Sequence, residues 1–158
     1  MSFSTFSGPI RSGTVRYNAG RNTGLAILAQ SYDTGVVTAG VGNVDAQMAI
    51  LPQGSQIVDI TVDQVVVPGG TSTSTVSVGN TSGGSELMAA VATTAGGRFR
   101  GTSTAATQLA WQTSTTADTS VFVRYAVGTA AGVGRAIITV NYVQRQPNGA
   151  QNPTTFEN

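Results

Sequence analysis

Cysteine, histidine and lysine are all absent from this chain of 158 residues. No disulfide framework, Cys/His zinc site, imidazole general base or Schiff-base lysine is therefore available to it. Charge is scarce too. Eight arginines stand against seven acids, charged residues make up 9%, and the formal net charge is +1; a typical soluble domain carries roughly 25% charged residues. Long apolar runs are missing: residues 25–29 form one of the longest, far short of the ~18 that a membrane span needs. Residues 1–8 have neither a basic segment nor an apolar core, so no signal peptide is expected. Most familiar enzyme chemistry is excluded by inventory, and no catalytic residue, cofactor or metal is expected.

Serine and threonine number 37, and asparagine and glutamine add 18 more. The exterior must consist mostly of hydroxyls, amides, alanine and glycine. A freely diffusing monomer usually keeps charge on its surface for solubility, so a neutral, Thr-rich skin suits a protein covered by neighbours. It equally suits a lightly charged β-protein. Leu, Ile, Val and Phe make up 36 of 158 residues, above the roughly 20% below which chains stay disordered.

The periodicity is that of strands. Val58, Ile60, Val62 and Val66 alternate with Ile57, Asp59, Thr61, Asp63 and Val65. Val121, Val123, Tyr125 and Val127 alternate with Ser120, Phe122, Arg124 and Ala126, and Ile138, Val140 and Tyr142 do the same against their neighbours. Val58, Ile60, Val62, Val123, Tyr125, Ile138 and Val140 are the expected core. Shorter strands are expected at 14–17, 25–32, 36–41, 46–51, 74–78 and 107–112, with Gly- and Pro-rich turns at 52–54, 68–70, 79–80 and 82–84. Residues 85–93 can make two turns of helix or a strand. Many short strands joined by such turns predict an all-β fold, an antiparallel β-sandwich or jelly roll. The expected organisation is an N-terminal arm at 1–9, a sandwich domain at 10–145 and a C-terminal tail at 146–158.

Chemistry-bearing residues are few. Asp59 and Asp63 lie four apart on one strand face, some ~13 Å at the usual rise, beyond the ~5–9.5 Å of catalytic carboxylate pairs. They read as solvated strand-face carboxylates. Asn43, Val44 and Asp45 read as a turn-forming cluster rather than a Ca²⁺ site. A nucleic-acid surface needs a basic stripe, whereas here Arg124, Arg135 and Arg145 are dispersed. Arg98, Phe99 and Arg100 read better as a protein-interface anchor than as a base-stacking element. In the terminal segments Phe3, Phe6, Ile10, Arg11, Arg16 and Phe156 stand outside any core pattern, which makes them candidates for docking on a neighbour. Leu109 and Trp111 share a face of the expected strand 107–112, which places the indole in the core rather than on a sugar shelf.

The segment 51–62, a Pro/Gly turn leading into Gln56-Ile57-Val58-Asp59-Ile60-Thr61-Val62, resembles a recurring element of small structural proteins in tailed-phage particles. Val76-Ser77-Val78-Gly79-Asn80 and Gly97-Arg98 extend the likeness, and residues 6–15 resemble the start of small phage head proteins. The resemblance covers about two-thirds of the chain. It implies a capsid decoration (cement) protein with a β-sandwich or jelly-roll body, made in the host cytoplasm and placed on the outer surface of the virion head. The implied partners are the major capsid protein and further copies of the chain, as a homotrimer, with no nucleic acid and no membrane. The alternative, from another class, is a tail- or fibre-associated carbohydrate-binding or adhesin module.

Overall fold

Alternating apolar side chains have nowhere to go except between two sheets, and that is how the chain is arranged. The computed structural model describes residues 27–38, 43–68, 74–93, 95–100, 109–111, 115–128 and 132–144. Nine strands follow in chain order: β1 (Ile27–Asp33), β2 (Val37–Thr38), β3 (Asn43–Leu51), β4 (Ser55–Val66), β5 (Ser74–Gly79), β6 (Met88–Ala92), β7 (Gly97–Arg100), β8 (Thr119–Val127) and β9 (Val133–Gln144). One sheet runs β1-β9-β4-β7, with β2 also pairing β9, and the other runs β3-β8-β5-β6. Every pairing is antiparallel.

β1 and β2 pair with successive stretches of β9. Between them Gly35, at φ 66°, takes a left-handed conformation that costs a glycine little. Its N–H donates to Asp33 Oδ1 at 2.9 Å. With β1 and β2 counted as one interrupted strand, the first sheet holds the first, eighth, third and sixth strands of eight, and the second sheet the second, seventh, fourth and fifth. That order is a jelly roll, two interlocked Greek keys. The all-β sandwich read from the sequence is the fold observed.

Ile60, Val62, Ile138 and Val140 of the first sheet meet Val76, Val78, Val123 and Tyr125 of the second, all fully buried. One polar tie crosses this core: Gln64 Nε2 donates to the Tyr125 hydroxyl at 2.9 Å and to the Val66 carbonyl at 2.6 Å. A second tie closes one side of the sandwich. Gln30 on β1 donates through Nε2 to the Ile50 carbonyl of β3 at 2.9 Å and accepts from the Ile50 N–H at 3.3 Å. Its amide thus pairs with the edge of the other sheet as a peptide group would, while also donating to the Tyr142 hydroxyl.

Three local expectations need correction, and one reading left open is decided. Val58 is 46% exposed and Ile57 is buried, because a bulge between Ile57 and Asp59 shifts the register against β9 and turns Val58 outward. Of the two readings for residues 85–93, helix or strand, the strand is observed: Met88–Ala92 is β6, held to β5 through Thr75↔Ala92, Val76↔Val91 and Val78↔Met88. Asn43, Val44 and Asp45 open strand β3 instead of making a turn. Within the expected strand 107–112, the described residues 109–111 form a helical turn. The tail at 146–158, the arm at 1–9 and the expected strand at 14–17 lie outside the described residues.

Candidate functional site

The outer face of the β1-β9-β4-β7 sheet is built from rows of facing residues. Ser31, Thr139, Thr61 and Arg100 make one row, and Asp33, Ile137, Asp63 and Arg98 the next. Hydroxyls bond along the first row, with Ser31 Oγ and Thr139 Oγ1 2.8 Å apart. The charges close on one another. Arg98 Nε donates to Asp63 Oδ1 at 2.7 Å and its Nη2 to Oδ2 at 3.1 Å, directly across the β4–β7 pairing. Arg100 lies 3.3 Å from Asp59 on the diagonal.

Arg135 holds Asp33 through Nε at 3.0 Å and also through Nη2. That hydrogen bonding, joined by the Gly35 N–H and opposed by partial desolvation, pulls the Asp33 carboxyl from 3.8 to about 2. On the other sheet Arg124 makes a two-pronged contact with Asp45, at 2.7 and 2.9 Å, and this bonding lowers the Asp45 pKa. Each of the four arginines among the described residues is thus paired with an aspartate. Exposed pairs of this kind add little stability. Their effect is to leave no free positive charge on either face among the described residues.

Four exposed valines gather at the start of β9. Val133 faces Thr38, Val36 precedes the Val37↔Gly134 pair, and Val65 sits in the irregularity between Gln64 and Val66, opposite Arg135, with Val67 just beyond. A rim of apolar side chains beside closed ion pairs is suited to contact by hydrophobic burial and hydrogen bonding, with no net charge to be matched.

Of the residues singled out from the sequence, Arg98, Phe99 and Arg100 are brought together on β7. Phe99 is half-buried against the core, while the two guanidinium groups stay exposed with their aspartates. Phe3, Phe6, Ile10, Arg11, Arg16 and Phe156 lie outside the described residues. Trp111 packs against the core, and its indole N–H donates to the Leu87 carbonyl at 2.7 Å. The Gln30 clasp, the Asp45–Arg124 and Asp33–Arg135 pairs and the valine rim carry no local signal, since each joins segments distant in sequence.

No family model matches the chain, and no curated protein matches it either. Solved structures do. A chain of the cyanophage Pam1 capsid asymmetric unit aligns with a TM-score of 0.52 and 20% identity, covering 90% of this chain and 99% of that one. A chain of the Ralstonia phage GP4 capsid gives 0.47 and 24%, covering 86% and 92%. One from the acid-stable capsid of Helicobacter pylori bacteriophage KHP30 gives 0.47 and 16%, covering 76% and 94%. The Pam1 chain shares the fold.

Proposed function

We propose that this chain is a virion structural protein, a capsid decoration (cement) protein that binds the exterior of a phage head and bridges major capsid protein subunits. The observation that carries the reading is the fold likeness to a chain of the Pam1 capsid asymmetric unit, which extends over almost the whole of both chains. Three features support it. The inventory lacks the residues most catalysis needs. The outward arginines are spent on aspartates, and an apolar valine rim is left exposed.

In this reading the protein is not an enzyme, and it acts by summation. Each copy contributes a modest interface to two or more shell subunits, and simultaneous engagement makes a copy hard to lose. Self-association as a trimer multiplies the contacts. Attachment falls to the terminal segments, where Phe3, Phe6 and Ile10 supply apolar side chains and Arg11 and Arg16 supply positive charge. Arg98, Phe99, Arg100 and Phe156 are the further interface candidates. Two buried Phe supply about 3–6 kcal/mol, against about 1–2 kcal/mol per ordered residue, so backbone pairing to a neighbour's strand edge must add to them.

Deleting residues 1–8 tests the assignment of roles. The reading expects near-normal thermal unfolding together with sharply weakened occupancy on purified heads. Early unfolding places the arm in its own core, and normal occupancy places attachment elsewhere on the sandwich.

A further inference from the structure

The sandwich has four sheet edges: β1, continued by β2, and β7 in one sheet, β3 and β6 in the other. An edge offers unpaired backbone groups to any strand that approaches, and proteins guard against this with bulges, charges or very short strands. Three of the four are guarded. β7 has four residues, two of them arginine. β3 and β6 carry bulges, with register shifts between Gln47 and Ala49 and between Val76 and Val78. The Gln30 amide also occupies the Ile50 backbone of β3. β1 has none of these devices. Its seven residues pair with β9 in unbroken register, and it holds no proline, no glycine and no charge before Asp33.

The ladder fixes which groups are left over. Thr34 N–H donates to the Ala136 carbonyl at 3.0 Å. By the alternation of an antiparallel pair, Tyr32, Gln30 and Leu28 then turn their backbone groups to β9. Ile27, Ala29 and Ser31 turn theirs to the open edge, and among the described residues β1 has no strand beyond it there. The same three side chains are exposed on the outer face, Ile27 at 63%. An apolar side chain so bare, at the start of an unguarded edge, fits a cross-strand partner.

We propose that the partner is residues 14–17 of this same chain, added antiparallel to β1 as the outermost strand of the first sheet. In that segment Val15 and Tyr17 alternate with Thr14 and Arg16, and the nine residues that separate it from Ile27 include Asn18, Gly20, Asn22 and Gly24, the residues of a reversing loop. This loop sets Tyr17 opposite Ile27 and Val15 opposite Ala29, so apolar meets apolar on the outer face and the Ala29 N–H gains an acceptor. Closing a short loop also costs less entropy than capturing a strand from a separate chain. The consequence is directional. The chain before Thr14 runs along β1 from Gln30 towards Asp33, at ~3.3 Å per residue. It therefore leaves the body beside the valine rim at Val36 and Val133, not at the opposite end where β9 finishes. Taken with the proposed attachment role, on which this last step rests, the arm and the rim form one apolar contact surface for the shell.

The chain has no cysteine, so Val15→Cys with Ala29→Cys places its only two thiols at the proposed contact. Facing residues, ~5.5 Å apart between Cα atoms, are within reach of a disulfide. After oxidation the full-length double variant should run at monomer mass under denaturing, non-reducing conditions, with no free thiol. Linked dimers or longer ladders would show a second copy supplying the strand, and free thiols would show no strand there; either overturns the proposal. Hydrogen exchange on the unsubstituted chain gives an independent reading. The Ala29 amide should exchange at least ~100-fold slower than in a chain lacking residues 1–17, while the Gln30 amide, bonded to β9, stays protected in both. Equal Ala29 rates in the two chains overturn the proposal. Deleting residues 1–8 should leave Ala29 protected whatever it does to head occupancy, which keeps the added strand and the attachment role separately testable.

Discussion

Gly134 is a position where single atoms matter. A Cβ at this position would collide with the Tyr125 hydroxyl and with Pro68, and Tyr125 cannot retreat without giving up its bond from Gln64. Gly134→Ala should therefore destabilise by about 1–3 kcal/mol, the usual cost of overpacking, as read by urea unfolding. Ile60 and Val58 make a second contrast on one strand. Ile60 is fully buried, so Ile60→Ala should cost about 2–5 kcal/mol. Val58, turned outward at the bulge, should tolerate Ala within about 0.5 kcal/mol. A Val58→Ala loss as large as that of Ile60→Ala would show that the bulge is misplaced.

At the scale of elements, the ion pair that ties the end of β1 to β9 sets an acid limit. The Asp33 pKa is depressed in the folded chain, to about 2 from 3.8. The folded state then binds fewer protons than the unfolded one between those values, so the stabilisation is complete above pH 4 and is lost as pH falls towards 2. Arg135→Gln should flatten the slope of unfolding free energy between pH 4 and 2 and leave it unchanged near neutrality. An unchanged slope would mean that the pair does not form in solution.

The same scale shows what the sequence makes legible. Strands β8 and β9 follow a clean two-residue period, and their inward residues Val123, Tyr125, Ile138 and Val140 are the buried ones. β4 has that period too, yet a bulge adds one residue and reverses the face of Val58, which no local pattern announces. β6 has the composition of a helix and is a strand because β5 offers it backbone partners, so tertiary pairing outweighs propensity. β7, only four residues long and charged at two of them, carries no apolar alternation at all.

For the whole molecule, closed ion pairs and a neutral skin imply association through apolar and hydrogen-bonded contacts. The trimer we propose should survive molar salt, which screens exposed charges to ~3 Å, as measured by light scattering. Dissociation to monomers on raising salt would contradict a neutral interface. The central claim is attachment to a phage head, and the most direct measurement adds the purified full-length chain to heads assembled without it and reads the bound mass by sedimentation. Saturable binding at a fixed number of copies per head, with the added density on the outer surface, is the expected result. Heads that take up no protein at saturating concentration, while tails or fibres do, would contradict it.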